Sequence, residues 1–178
     1  MVRLVIAVAV AVAVAVAVAV AVAVAVAALG ACATAPPAPP ASPATVRTFS
    51  AMDKTSVTEL LAKQADAWNR GDLAGYMDGY ARIDSLVFTS GSKIRKGWQA
   101  TFESYKAKYA TSPTSMGHLE LEILQVDNLG ADGAVVLGRW SLTKAESPGS
   151  GVFTVILERR PEGWKIVHDH TSSDPPPP

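Results

Sequence analysis

Residues 134–171, AVVLGRWSLTKAESPGSGVFTVILERRPEGWKIVHDHT, decide the fold. Three runs rich in β-branched and aromatic residues, 134–143, 152–160 and 164–171, are separated by turn-forming stretches. The first turn spans Glu146 to Gly151 and the second is Glu162-Gly163. Such punctuation predicts consecutive antiparallel hairpins. Just upstream, residues 118–126 alternate, with Leu119, Leu121 and Ile123 opposite Glu120 and Glu122. That is the period of a half-buried strand. Residues 86–90 and 92–95 predict a further hairpin about Gly91.

Three helices are predicted around these strands. Ser56-Val57-Thr58-Glu59 has the form of a capping box. The helix after it carries Val57, Leu60, Leu61, Gln64, Ala67 and Trp68 near one face, with Gly71 at its C′ position. Asp72 is placed to cap a short second helix carrying Leu73, Tyr76, Met77 and Tyr80. A third begins near Gly97 and aligns Trp98, Phe102, Tyr105 and Tyr109 in an aromatic stripe, a pattern typical of core packing. The order α-α-β-β-α-β-β-β-β predicts an α+β domain: a strongly curved antiparallel sheet with three helices on one face.

The rest of the 178-residue chain frames that domain. Residues 1–31 contain 29 apolar residues, the exceptions being Arg3 and Gly30. Without them 58 of 147 residues are apolar, an ordinary fraction for a globular domain. Only this run is long enough to cross a bilayer, which excludes a multi-span membrane protein. A single cysteine excludes a disulfide scaffold. Sixteen basic and sixteen acidic residues cancel, and no basic stripe favours nucleic acid.

The amino-terminal run has ten consecutive Ala-Val pairs from Ala7 to Val26. Alternation here creates no polar face, so it does not argue for a strand. In a bilayer the run is helical. It ends in Leu29-Gly30-Ala31-Cys32, which resembles a bacterial lipobox. The expectation is a lipoprotein signal peptide over 1–31, lipid attachment at Cys32 and a Pro/Ala tether over 32–45. An uncleaved single-span anchor is the alternative. By resemblance to Gram-negative lipoproteins, Ala33 in place of Asp implies the outer membrane, with the domain facing the periplasm. Nine of the twelve prolines lie in the tether and in the Pro175–Pro178 tail. They bound a folded region of 46–173, followed by a Pro-rich tail at 174–178.

Several motifs, in order, carry a resemblance over about 53–173. Ala67-Trp68-Asn69-Arg70-Gly71-Asp72-Leu73 resembles the first helix-turn of bacterial members of the nuclear transport factor 2-like superfamily. Phe88-Thr89-Ser90-Gly91, Gly97-Trp98-Gln99-Ala100-Thr101, Gly138-Arg139-Trp140 and the run from Gly163 to Ser172 resemble its domain of unknown function 4440 group. The last segment is also similar to the association domain of calcium/calmodulin-dependent kinase II. The resemblance implies a cone-shaped, cystatin-like roll and, as the default, a homodimer through the outer sheet face. It constrains fold more than activity, because the superfamily includes ketosteroid isomerases, polyketide cyclases and dehydratases beside non-catalytic binding domains.

The chemical candidates follow from strand parity and composition. His168 and His170 are two apart on a predicted strand and share a face with Trp164 and Ile166, while Asp169 projects the other way. Either histidine suits a general base, a metal ligand or a structural hydrogen bond, the last being favoured. A metal needs three or four ligands, and His118 is the only other histidine, so no metal is expected. No cofactor is expected either, as no Gly-rich nucleotide fingerprint occurs. Arg139 is a cation for an anionic ligand if its face lines the cone, or else a partner in an internal salt bridge. Gly138 is expected to permit strong curvature or close helix packing. Tyr76, Tyr80, Ser90, Trp98 and Tyr105 are candidate hydrogen-bonding and aromatic residues of an apolar cup, and Asp84 is a candidate base. The leading expectation is an envelope lipoprotein whose domain binds a small apolar or amphipathic molecule or forms a dimeric interaction module. Its rival is an isomerase, cyclase or dehydratase using His168 or His170.

Overall fold

The computed structural model describes residues 46–110, 115–145 and 148–175. The leader, Cys32, the tether and residues 176–178 of the Pro-rich tail lie outside the described residues. Among the described residues no helix is long and apolar enough to cross a membrane.

The elements run α1 (Ala51–Asn69), α2 (Leu73–Met77), β1 (Val87–Ser90), β2 (Lys93–Lys96) and α3 (Trp98–Tyr109). They continue as β3 (His118–Asn128), β4 (Gly133–Thr143), β5 (Gly149–Arg160) and β6 (Gly163–Thr171). The six strands form one curved sheet in the order β2-β1-β6-β5-β4-β3, with the helices on one side. The α+β class and the three hairpins of the carboxyl-terminal half are as the sequence predicts. The sheet departs from the all-antiparallel expectation at one seam, because β1 runs parallel to β6. Hairpin signals are local. The partner of β1 lies some eighty residues away and is chosen by burial of the shared core, not by a turn.

Helix α1 starts earlier than its internal capping box suggests. Ser50, not Ser56, is the N-cap. Its hydroxyl accepts from the Asp53 amide, and Asp53 Oδ2 accepts from the Ser50 amide at 2.9 Å. This reciprocal pair satisfies two amides that a bare helix end leaves unpaired. Tertiary contacts make the outer box prevail. Asp53 is buried and ion-pairs with Arg47 and with Arg159 of β5. Glu59, the partner in the inner box, is exposed.

The other end of α1 follows the sequence closely. Gly71 has φ 75°, a left-handed value that costs glycine little. Its amide returns to Trp68 O at 2.8 Å, and Asp72 then caps α2 by accepting from the Gly75 amide at 2.8 Å. Asn69 acts as a short piece of strand. Its Nδ2 donates to Leu119 O at 3.0 Å and its Oδ1 accepts from the Leu119 amide at 2.7 Å. With Trp68 Nε1 donating to Met116 O at 2.7 Å, this pins α1 to the start of β3.

Two bulges bend the sheet. One lies between Ile123 and Gln125 of β3, opposite Gly138. The space a side chain at Gly138 would need is filled by the Phe153 ring and the Glu122 carbonyl. Gly138 therefore makes room for an aromatic ring on the concave face. The second bulge is in β6. Leu157 pairs with Ile166 and Ile156 with His168, so Val167 has no opposite residue. A one-residue insertion of this kind reverses the inward and outward sense of everything beyond it.

Candidate functional site

The bulge at Val167 decides the chemistry of the concave face. Before it, Trp164 and Ile166 point inward and are buried. After it, the inward residues are Asp169 and Thr171. His168 and His170 therefore turn to the opposite face, where His168 is half-buried and His170 exposed. The expected parity of Asp169 and the two histidines is thus inverted. In the sequence the only trace is the adjacent apolar pair Ile166-Val167, which breaks strict alternation.

Strand register places Asp169 in a row across the cup. Arg95 of β2 lies opposite Phe88 of β1, and Phe88 opposite Asp169 of β6. Beyond Asp169 come Val155, Val136 and Val126. The next row contains Ser90, Thr171, Phe153 and Gly138. The helices close the cup with Trp68 of α1, Tyr76 of α2 and Tyr105 and Tyr109 of α3. These four rings interlock, mostly edge to face, with Trp68–Tyr76 centroids 5.0 Å apart and Trp68–Tyr109 4.8 Å apart. They leave an open cavity of about 170 Å³. That is close to the ~150 Å³ apolar cavity known to admit benzene.

A chain of hydroxyls runs along the cavity to the carboxyl. Tyr80 Oη donates to Asp169 Oδ2 at 2.7 Å, and Thr171 Oγ1 donates to Oδ1 at 3.0 Å. The Tyr76 hydroxyl lies 3.2 Å from that of Tyr80, and its ring packs on that of Tyr105 with centroids 5.6 Å apart. Tyr80 has one proton and gives it to Asp169, so its oxygen accepts from Tyr76. Tyr80 itself is fixed by backbone pairing around it, since Ala81 N donates to Ile166 O and Ile166 N to Gly79 O, both at 2.9 Å.

Burial dominates the protonation of this group. It pushes the Asp169 carboxyl up to about 6, although the bonds from Tyr80 and Thr171 and the charge on His170 pull the other way. Burial, reinforced by Asp169, raises the Tyr76 hydroxyl to about 12. Tyr80 and Tyr105 are raised well above their ordinary range, again mainly by burial. At neutral pH the tyrosines are therefore neutral donors. Asp169 exchanges its proton within a pH range where acid–base catalysis is effective.

Of the residues singled out in the sequence, Tyr76, Tyr80, Ser90 and Tyr105 line the cavity. Trp98 does not. Its indole donates to Met77 O at 3.0 Å, stacks on Phe102 and lies beneath Arg82, all outside the cup. Arg139 is exposed on the convex face, because its strand buries Val136, Gly138 and Leu142 on the other parity. It forms none of the internal ion pairs expected of it among the described residues. Asp84 is exposed in the segment before β1. The lining residues that were not site candidates in the sequence include the charged groups Asp169, Arg95 and Lys108, and Thr171 beside Asp169. Among the described residues no cluster of three or more histidines, cysteines or carboxylates is placed to hold a metal ion.

Comparison with known proteins agrees with this architecture. The SnoaL-like domain family matches residues 57–176. No curated protein matches the chain. An NTF-2 like protein of unknown function from Shewanella oneidensis MR-1 is 38% identical, with a TM-score of 0.64 over 67% of this chain and 98% of that one. A ketosteroid isomerase-like protein from Erwinia carotovora atroseptica SCRI1043 shares the fold at 20% identity, with a TM-score of 0.57 over 68% and 96% of the two chains. A protein with a cystatin-like fold from Nostoc punctiforme PCC 73102 does so at 18% identity and a TM-score of 0.59, over 72% and 81%. With a family match over most of its length and a 38% identical relative covered almost end to end, the chain belongs to the SnoaL-like, NTF2-like family.

Proposed function

We propose that the folded domain is a receptor for a small apolar or amphipathic molecule, displayed on a bacterial cell envelope. The ligand lays its apolar body on the aromatic walls and sets an oxygen function against Tyr80 and Asp169. The observation that carries this reading is Asp169, a carboxyl at the floor of an open aromatic cup, held by two hydroxyl donors. Burying an ionisable group costs several kcal/mol, on the order of 2–7 even for a neutral polar group left unpaired, so a cup built only for packing gains nothing from it. Envelope display rests on the apolar run that ends in Leu29-Gly30-Ala31-Cys32 and on the Pro/Ala tether. Lipid on Cys32 anchors the domain, with the outer membrane as its site. Pairing of two copies through the convex face is supported by the exposed Leu137 and Val152 there, each 38% exposed.

The test is saturation-transfer NMR with a library of one-ring amphipathic compounds, run on the wild type and on Ser90→Trp, which puts an indole into the cup. Binding to the wild type and loss in the variant are expected. Equal binding by both proteins, or none by the wild type, rejects the receptor. Mass spectrometry of the mature protein tests the anchor: a diacylated amino-terminal Cys32 is expected, and an unmodified cysteine removes that part of the proposal.

The second reading is catalytic, an isomerase, cyclase or dehydratase. One observation favours it: the Asp169 carboxyl at about 6 is suited to take and return a proton beside neutral tyrosine donors. Asp169 takes over the acid–base role that the sequence offered to His168 and His170. Turnover abolished by Asp169→Asn with ligand affinity retained selects this reading over simple binding.

A further inference from the structure

We propose that the ligand of this cup is an anion, a single-ring carboxylate whose charge sits at the mouth between Arg95 and Lys108 and whose far end meets Tyr80 and Asp169. The inference rests on the receptor reading and adds the chemical class and the orientation of what is bound.

Apart from the tyrosines, the cavity is lined by three ionisable side chains: Asp169, which is buried, Arg95, which is half-buried, and Lys108, which is exposed and so marks the side open to solvent. Neither cation has a carboxylate within ion-pairing distance among the described residues. Each instead lies over an aromatic ring of the wall. The Arg95 guanidinium is 5.9 Å from the Phe88 centroid, and Lys108 Nζ is 4.6 Å from that of Tyr109. Cation–π contact holds a charge in place without neutralising it. A half-buried guanidinium without a counter-ion is a standing site for a carboxylate, which it can grip with two parallel hydrogen bonds.

The register sets the orientation. Arg95, Phe88 and Asp169 are directly opposed on three neighbouring strands. Strands lie about 4.8 Å apart, so the backbones carrying the cation and the acid are separated by roughly 10 Å. A carboxylate at the floor faces the like charge of Asp169, whereas at the mouth it faces two cations. The Phe88 ring between them is the platform for an apolar body. The cavity holds about 170 Å³, enough for one six-membered ring. The end of the ligand at the floor meets the Tyr80 hydroxyl and the Asp169 carboxyl, which suit a hydroxyl or carbonyl oxygen. Charge on β2 also protects an open sheet edge, and Lys93 and Lys96 serve that purpose at exposed positions. Arg95 differs from them in lining the cavity.

The test uses matched pairs of probes with one ring and one phenol: 4-hydroxybenzoate, 4-hydroxyphenylacetate and 4-hydroxyphenylpropanoate, each against its methyl ester. Affinities are measured by isothermal titration calorimetry on the wild type, Arg95→Gln, Lys108→Gln and the double variant. At least one acid is expected to bind the wild type about tenfold more tightly than its ester, the scale of one charge-assisted contact. The double variant should lose that preference while ester affinity stays unchanged, and added salt should narrow it. Lys108 is exposed, so its single variant keeps the test valid if Arg95→Gln destabilises the fold. Esters that bind as well as the acids, or a preference for acids that survives the double variant, overturn the anion inference and leave the receptor standing. Failure of every acid and ester to bind the wild type removes both.

Discussion

Asp169→Asn isolates the cost of the carboxylate at the cavity floor. The substitution keeps the shape of the side chain and removes its charge. In the folded domain the Asp169 carboxyl lies at about 6 against an ordinary value of 3.8. Between these two values the native state holds a proton that the unfolded chain has released. Stability therefore falls as pH rises through this window, by about 1.4 kcal/mol for each unit that separates the two pKa values. For a separation of roughly two units, ionising Asp169 costs the fold about 3 kcal/mol above pH ~7, and nothing below pH ~3. The amide of the variant has no such titration. Urea unfolding of both proteins from pH 4 to pH 8, followed by tryptophan fluorescence and circular dichroism, gives the stability difference at each pH. Altered hydrogen bonds enter equally at every pH and cancel when the difference at pH 4 is subtracted from that at pH 8. What remains should favour the variant by about 2 to 3 kcal/mol. A stability difference that is flat across this range refutes the reasoning, since it places Asp169 in contact with bulk water.

Further predictions concern the groups around it. Tyr80→Phe removes the donor that holds the Asp169 carboxyl down, so its pKa should rise above that of the wild type in a carbon-13 NMR titration; an unchanged or lower value contradicts the Tyr80–Asp169 bond. Ser50→Ala should cost about 1 kcal/mol in denaturant unfolding and Ser56→Ala clearly less, because the operating cap is the outer one; the reverse order restores the inner box. Asn69→Ala leaves the amide and carbonyl of Leu119 unpaired at the start of β3. A loss of about 1–3 kcal/mol is expected, together with faster hydrogen exchange at Leu119, and unchanged exchange there argues against the clamp.

Much of the fold is local and therefore legible. The Trp68–Asp72 turn depends on a glycine with left-handed φ and a short capping acid, both visible as residue types. The hairpins of the carboxyl-terminal half depend on turn residues between β-rich runs, and the aromatic stripe of α3 on helical spacing. Tyr76 and Tyr105 reached the cavity because helical periodicity assigns a face without reference to the rest of the chain, whereas Tyr80 lies beyond the end of α2 and is placed by its bridge to Ile166 of β6. Ser90 did so because it ends a strand beside a turn.

The chemistry at the floor was not legible, for a physical reason. Strand parity carries a side chain's direction forward only while the ladder is unbroken, and Val167 breaks it. Asp169 and its two histidine neighbours exchange faces at that one residue. Arg95 depends on the parallel seam between β1 and β6, which joins positions about eighty residues apart, and no turn signal encodes it. Even the start of α1 depends on Arg159 reaching Asp53 from β5, about a hundred residues along the chain. By itself the sequence determined the class, the element order and the aromatic helix faces, all of which follow from neighbours a few residues apart. Only the tertiary structure decided which charged groups enter the cup, because that choice lies in strand register and bulges, where long-range burial outweighs local pattern.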